Sequence, residues 1–191
     1  MKQINKLTLL VLLATSFALS GKFTIDNAHS NIIFKIKHLG ISTVTGNFKV
    51  FSGSIDYDVK SKKLSSVETT ISAKSINTGL EKRDGHLQSP DFFDVAKFPN
   101  LKFVTKKIEG SGKAVKIHGE LTMHGITKPI VLDAEFQGSV KDQKGKMHIS
   151  FVASSKLNRK EYGLKWNKIL EAGNLVAGEE VRIILEIEAV E

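Results

Sequence analysis

The residues best equipped for chemistry crowd into one stretch, RDGHLQSPDFFDVAKFP, Arg83 to Pro99. It sets an arginine, aspartates and a histidine beside the paired Phe92 and Phe93. A histidine near a carboxylate can move protons. An arginine can hold an anion through paired hydrogen bonds. Paired aromatics can rim an apolar pocket or plug an open fold. Asp84 and His86 are two residues apart, and on a helix that spacing does not turn them toward each other. Arg83 and Asp84 read most simply as an ion pair or part of a capping network. Phe92 and Phe93 fit a plug and a pocket rim equally well.

Elsewhere the signals for catalysis are weak. The chain has no Gly-rich phosphate loop followed by Lys and no G-x-S-x-G elbow. It has no cysteine, which excludes thiol nucleophiles, thiolate metal sites, iron–sulfur clusters and disulfides. Six histidines remain: His29, His38, His86, His118, His124 and His148. None forms an i, i+2 strand pair or an H-x-x-x-H helical pair, so surface or hydrogen-bonded roles are the better reading than metal ligation. His118 and His124 read as neighbours on one strand, off its apolar face. The expectation is therefore no catalytic residue, no metal, no cofactor and no enzyme. A His-dependent metal enzyme is kept as a rival.

The chain has 191 residues, 41% of them hydrophobic, which suits a single domain with a real core. Net charge is +8, but the basic residues are scattered or lie in turns. Nucleic-acid binding would call for one dense basic stripe, so no nucleic-acid partner is expected. The N-terminus, MKQINKLTLLVLLATSFALSGKF, runs from a positive segment to an apolar segment to small residues. That order reads as a secretory signal peptide over residues 1–20, cleaved after Ser20 or after Gly21. No Cys follows it, so no lipid-modified N-terminus is expected. The mature domain, 21–191, is expected to be soluble and periplasmic or secreted, with transient membrane contact compatible with its basic surface.

The elements that must position any site are strands. Ile32, Phe34, Ile36 and His38 alternate with Ile33, Lys35 and Lys37. Phe51, Ile55 and Tyr57 form another face, with Gly53 marking a bend or bulge. Val67, Thr69, Ile71 and Ala73 follow, then Leu101, Phe103 and Thr105. Val115, Ile117, Leu121 and Met123 flank Gly119. Four more faces follow the same period: Ile130 to Phe136, Met147 to Leu157, Val181 to Ala189, and the short KFTID near residue 22. Short turns such as EGSGKA and KDQKGK join neighbouring strands as hairpins. The reading is all-β, an antiparallel barrel of about eight strands, since a flat meander would leave an exposed edge. Two stretches break the pattern. Residues 79–97 read as a short helical connection. There Thr78 and Glu81 complete a capping box, and Ser89-Pro90 opens a second turn. Asn158 to Glu180 is long for a hairpin and holds the single Trp166.

Four segments resemble the YceI-like family of secreted bacterial lipid-binding proteins. They are DNAHSNIIFKIKHLGISTVTGNF, RDGHLQSPDFFDVAKFPNLKF, GELTMHGITKPIVLDAEF and RKEYGLKWNKILEAGNLVAGEEVRIILEIE, in family order. The resemblance implies a lipocalin-like barrel that encloses a polyisoprenoid, an isoprenoid quinone or a fatty-acid derivative. With alternation, it nominates Phe34, Ile36, Val67, Ile71, Phe103, Leu121, Met123 and Phe151 as lining the slot. Phe92, Phe93 and Trp166 are nominated as its lid, with Lys165 and Lys168 close enough in sequence to meet an anionic head group. Glycines and threonines among the inward residues are expected to leave room for the chain. The rival class is a fully packed barrel serving as an adhesin or stress-response surface. Homodimerisation is left open by the sequence.

Overall fold

Apolar–polar alternation produces almost every element of the barrel, because period-2 side chains put one face of each strand inside. A computed structural model describes residues 21–168 and 175–191, and the expected signal segment 1–20 lies outside them. The strands are β1 (Gly21–Ile25), β2 (Asn31–His38), β3 (Ser42–Phe48), β4 (Phe51–Asp58), β5 (Lys63–Ser72) and β6 (Ile76–Asn77). They continue as β7 (Asn100–Ser111), β8 (Ala114–Met123), β9 (Ile126–Lys141), β10 (Met147–Asn158) and β11 (Ala177–Val190). The α-helix α1 (Glu81–Gln88) stands between β6 and β7.

Eight antiparallel strands close a ring in the order β1-β4-β5-β7-β8-β9-β10-β11, with β11 returning to β1. Closure leaves the ring no free edge, which answers the edge problem that alternation alone raised. The β11–β1 seam is short, with Thr24 opposite Val190 and Ile25 opposite Ala189. Over the rest of its length β11 pairs with β2, from Glu186–Asn31 to Ala177–His38. β2 then pairs with β3, and β3 with β6. The wall is thus tight at the end holding the seam. At the other end it flares into a β2–β3–β6 lobe, and α1 packs beside β6.

The tight end is filled with aromatics. Tyr57 lies 5.0 Å from Phe136 and 5.3 Å, edge-on, from Phe151, ring centre to ring centre. Phe23, Tyr57 and Ile149 are almost wholly buried. Burying each such side chain contributes roughly 1.5–3 kcal/mol. Gly53 has a packing reason. A Cβ there would stand 2.2 Å from the Glu68 carbonyl oxygen, so glycine lets β4 and β5 approach.

Four local expectations are corrected. β3 adds a strand that alternation did not show, because its inward face holds only two apolar side chains, Val44 and Phe48, with Ser42 and Gly46 between and beside them. The capping box does not form. α1 has Leu80 at its N-cap with no side-chain cap, and the Thr78 hydroxyl is engaged by Asp84 and Arg83 instead. Ser89 closes α1 rather than opening a second helix, its hydroxyl donating to the His86 carbonyl at 2.8 Å. His124 is not on the strand of His118. It occupies the turn after β8 with φ of 51° and packs 4.6 Å from Phe98.

Candidate functional site

The flare encloses an apolar cavity of about 290 Å³. β2 contributes Phe34 and Ile36, β8 contributes Leu121 and Met123, and the start of β11 contributes Val181 and Ile183. The stretch that stood out in the sequence forms one wall, through Arg83, His86, Leu87, Phe92 and Phe93. Trp166 lies across from it. Its ring is 5.0 Å from His86 and 5.2 Å from Phe92, and His86 and Phe92 are themselves 5.0 Å apart. Three rings from two separate connections therefore meet over the void.

Deeper in the barrel a second apolar void of about 80 Å³ is lined by Val67, Phe103 and Phe151 among others. Both voids touch Ile32. Of the nominated residues, Phe34, Ile36, Phe92, Phe93, Leu121, Met123 and Trp166 thus stand on the larger cavity, and Val67, Phe103 and Phe151 on the inner one. Ile71 lines neither and is core. The expected gaps at glycines are also corrected. A Cβ at Gly119 would sit 2.4 Å from the Phe103 ring, and one at Gly46 would sit 2.3 Å from the Phe34 ring. Those phenyl rings, rather than a ligand chain, take the space the glycines leave. A broader cleft of about 760 Å³ lies outside the β8–β10 wall. It is bordered by exposed Lys116, Asp133 and Glu135, and lacks the enclosure of the inner voids.

Two polar networks hold the walls. The Asp84 carboxylate accepts from the Thr78 backbone N–H at 2.9 Å and from its hydroxyl. Arg83 donates to the Thr78 hydroxyl at 2.7 Å and to its carbonyl at 2.9 Å. Arg83 and Asp84 therefore meet through Thr78, as a tie between α1 and the chain leading from β6. Arg159 ties the opposite wall. It is 3% exposed and donates from Nε to the Gly178 carbonyl at 2.8 Å. It also donates from Nη2 to Ala177 and from Nη1 to Leu164. No carboxylate lies within ion-pair distance of it among the described residues. Burial pushes its pKa below the ordinary arginine value, yet a guanidinium starts so high that it stays charged. Burial likewise raises the Tyr162 phenol.

The charge pattern follows. Among the described residues, the cavity's lining includes Lys37, Arg83 and Arg159 and no aspartate or glutamate. Lys165 and Lys168 are exposed beside Trp166. The arrangement suits holding an apolar chain, with cations and N–H donors available to acceptor oxygens. Arg159 and the β11 residues were not nominated from sequence. Val181 and Ile183 carried a readable signal, lying on an inward face of the last strand. Arg159 carried none, since its burial depends on how the following loop folds back.

A YceI-like domain model matches residues 23–189. A UPF0312 protein of Photorhabdus laumondii is 37% identical over 177 residues, covering 90% of this chain and 92% of the relative. A crystal structure of the Campylobacter jejuni YceI protein superposes with a TM-score of 0.71 at 38% identity, covering 82% of this chain and 90% of that one. A structure described as a polyisoprenoid binding domain from Saccharophagus degradans gives a TM-score of 0.64 at 17% identity, covering 87% and 97%. At that identity the likeness is one of fold.

Proposed function

The chain belongs to the YceI-like domain family, and from that premise we propose that it is an exported carrier of a long-chain amphipathic lipid. The chain would be a polyisoprenoid, an isoprenoid quinone or a fatty-acid derivative. The observation that carries this reading is the apolar cavity lined by α1 and Trp166, with a smaller void that shares Ile32 with it. A barrel packed solely with side chains would have no such space. Each buried methylene contributes roughly 0.8 kcal/mol, so enclosing a dozen offsets the cost of immobilising a flexible chain. The cations on the wall, Lys37, Arg83 and Arg159, favour a head group rich in acceptor oxygens. The mechanism is sequestration, with no bond made or broken.

Mass spectrometry of an organic extract from the purified protein is expected to show one long-chain lipid class. Adding such a lipid to delipidated protein is expected to shift or quench the emission of Trp166, the single indole, with short-chain analogues acting weakly. An extract without lipid, together with unchanged Trp166 emission, would overturn the reading.

The signal segment 1–20 makes the exported, periplasmic or secreted, domain 21–191 part of the same proposal. N-terminal sequencing of the exported protein should begin at Gly21 or Lys22, and an intact Met1 on it would refute export by cleavage. A basic surface and the exposed Ile41, in the β2–β3 turn three residues beyond the cavity-lining His38, support transient contact with the membrane that supplies the cargo.

A further inference from the structure

The end of the barrel opposite the cavity mouth carries a second constellation. His148 and the cavity-lining Leu157 are nine residues apart on β10, about 30 Å along the strand at the usual rise. Around His148 four segments converge: the β1–β2 turn with Asp26 and His29, the β9–β10 turn with Asp142, the start of β10, and Glu188 near the end of β11. One ligand atom each from Asp26, His29 and Glu188 lies within 4.8 Å of the others.

The arrangement is braced by backbone. The Asp26 N–H donates to the Glu188 carbonyl at 2.9 Å. The Ser30 hydroxyl donates to that same carbonyl at 3.1 Å and accepts from the Glu188 N–H at 2.9 Å. The turn bearing Asp26 and His29 is thus pinned to the strand bearing Glu188. A further shell stands behind it. His148 Nδ1 lies 2.9 Å from a Glu188 carboxylate oxygen. Its Nε2, buried and without a hydrogen bond, lies 3.5 Å from Asp142. Asp142 is itself held by the backbone N–H groups of Lys144 and Lys146.

We propose that Asp26, His29 and Glu188 form a divalent-cation site, with His148 and Asp142 orienting Glu188 from behind. One imidazole and two carboxylates suit a borderline cation such as Zn²⁺, whose N and O ligands stand at about 2.0–2.2 Å. Small rotations of side chains already within 4.8 Å of one another bring them to that range. Carboxylate ligands in such sites are themselves held by outer hydrogen bonds, as Glu188 is by His148. The His29 side chain is 67% exposed, which leaves room for water to complete the coordination. A bound ion would staple the β1–β2 turn to the last strand, next to the short β1–β11 seam, and so stabilise ring closure. The site is independent of the lipid reading.

The test is calorimetric titration of chelator-stripped, untagged protein with ZnCl₂, paired with thermal denaturation. The expected result is one saturable equivalent and a raised melting temperature. His29→Ala should abolish that equivalent, and His148→Gln should weaken it roughly tenfold to a hundredfold. Because the His29 ring is mostly in solvent, His29→Ala should keep the apo melting temperature, so lost binding cannot be a folding defect. No saturable binding, or a zinc equivalent that persists in His29→Ala, would overturn the proposal.

Discussion

Replacing Arg159 by methionine is expected to lower the melting temperature by about 10 °C and to release bound lipid. The buried guanidinium donates to three carbonyls, those of Leu164, Ala177 and Gly178. Hydrogen bonds from a charged donor contribute about 1.5–3 kcal/mol each, and carbonyls left buried without a partner cost about 1–3 kcal/mol. These losses overlap, so about 3–5 kcal/mol is the expected total. For a domain of this size each kcal/mol moves the melting temperature by about 2–4 °C. The functional consequence is twofold, since Arg159 itself lines the cavity and its partner Leu164 stands two residues before Trp166. Arg159→Lys should rescue little, because an ammonium cannot reach three carbonyls with one planar fork. The neighbouring Lys160→Met breaks only a partly exposed pair with Glu179 and should move the melting temperature far less than Arg159→Met. Thermal denaturation followed by circular dichroism checks all three. An Arg159→Met melt within about 2 °C of the parent would show that the loop holds itself.

Placing a carboxylate on the cavity wall is expected to weaken lipid binding by at least about a hundredfold, a difference of about 2.7 kcal/mol. Leu121→Asp does this directly, since Leu121 is buried and faces the void. An ionised group in such surroundings costs several kcal/mol unless water enters with it, and that water displaces the chain. Val181→Asp, on a half-buried position nearer the flare, should reproduce the loss with less damage to folding. Ile71→Val is the contrast. Ile71 is core and touches neither void, so losing one methyl should cost about 0.5–1.5 kcal/mol of stability and leave lipid retention unchanged. Titration of delipidated protein, read by Trp166 emission beside melting curves, separates the outcomes. Parent-like affinity in a folded Val181→Asp would remove the larger cavity from the binding site.

The legible part of this protein lay in its strands. Ile130, Leu132 and Ala134 on β9, or Phe51, Ile55 and Tyr57 on β4, could be assigned to the interior from alternation because a strand's two faces differ by one residue. Where a ladder shifts register, as between Ser150 and Phe151 or Thr105 and Lys107, the pattern blurs but the flanking faces still read correctly. β3 is hidden because half its inward face is serine and glycine, and Gly46 makes sense only once the Phe34 ring fills its space. Ile71 shows the same boundary from the other side. It is buried, yet buried positions of one barrel divide into wall and filling according to which neighbours reach across.

By itself, then, the sequence determined the all-β class, the inward face of most strands, the hairpin turns and the place where the pattern breaks, because these depend on neighbours along one strand. Only the tertiary structure decided that β11 divides its edge between β1 and β2, opening the flare that holds the cavity. It alone buried Arg159 among carbonyls and brought His86, Phe92 and Trp166 together from two connections. It alone gathered Asp26, His29 and Glu188, whose last member lies more than 150 positions away. Such contacts depend on how a closed sheet returns upon itself, and local periodicity carries no record of that return.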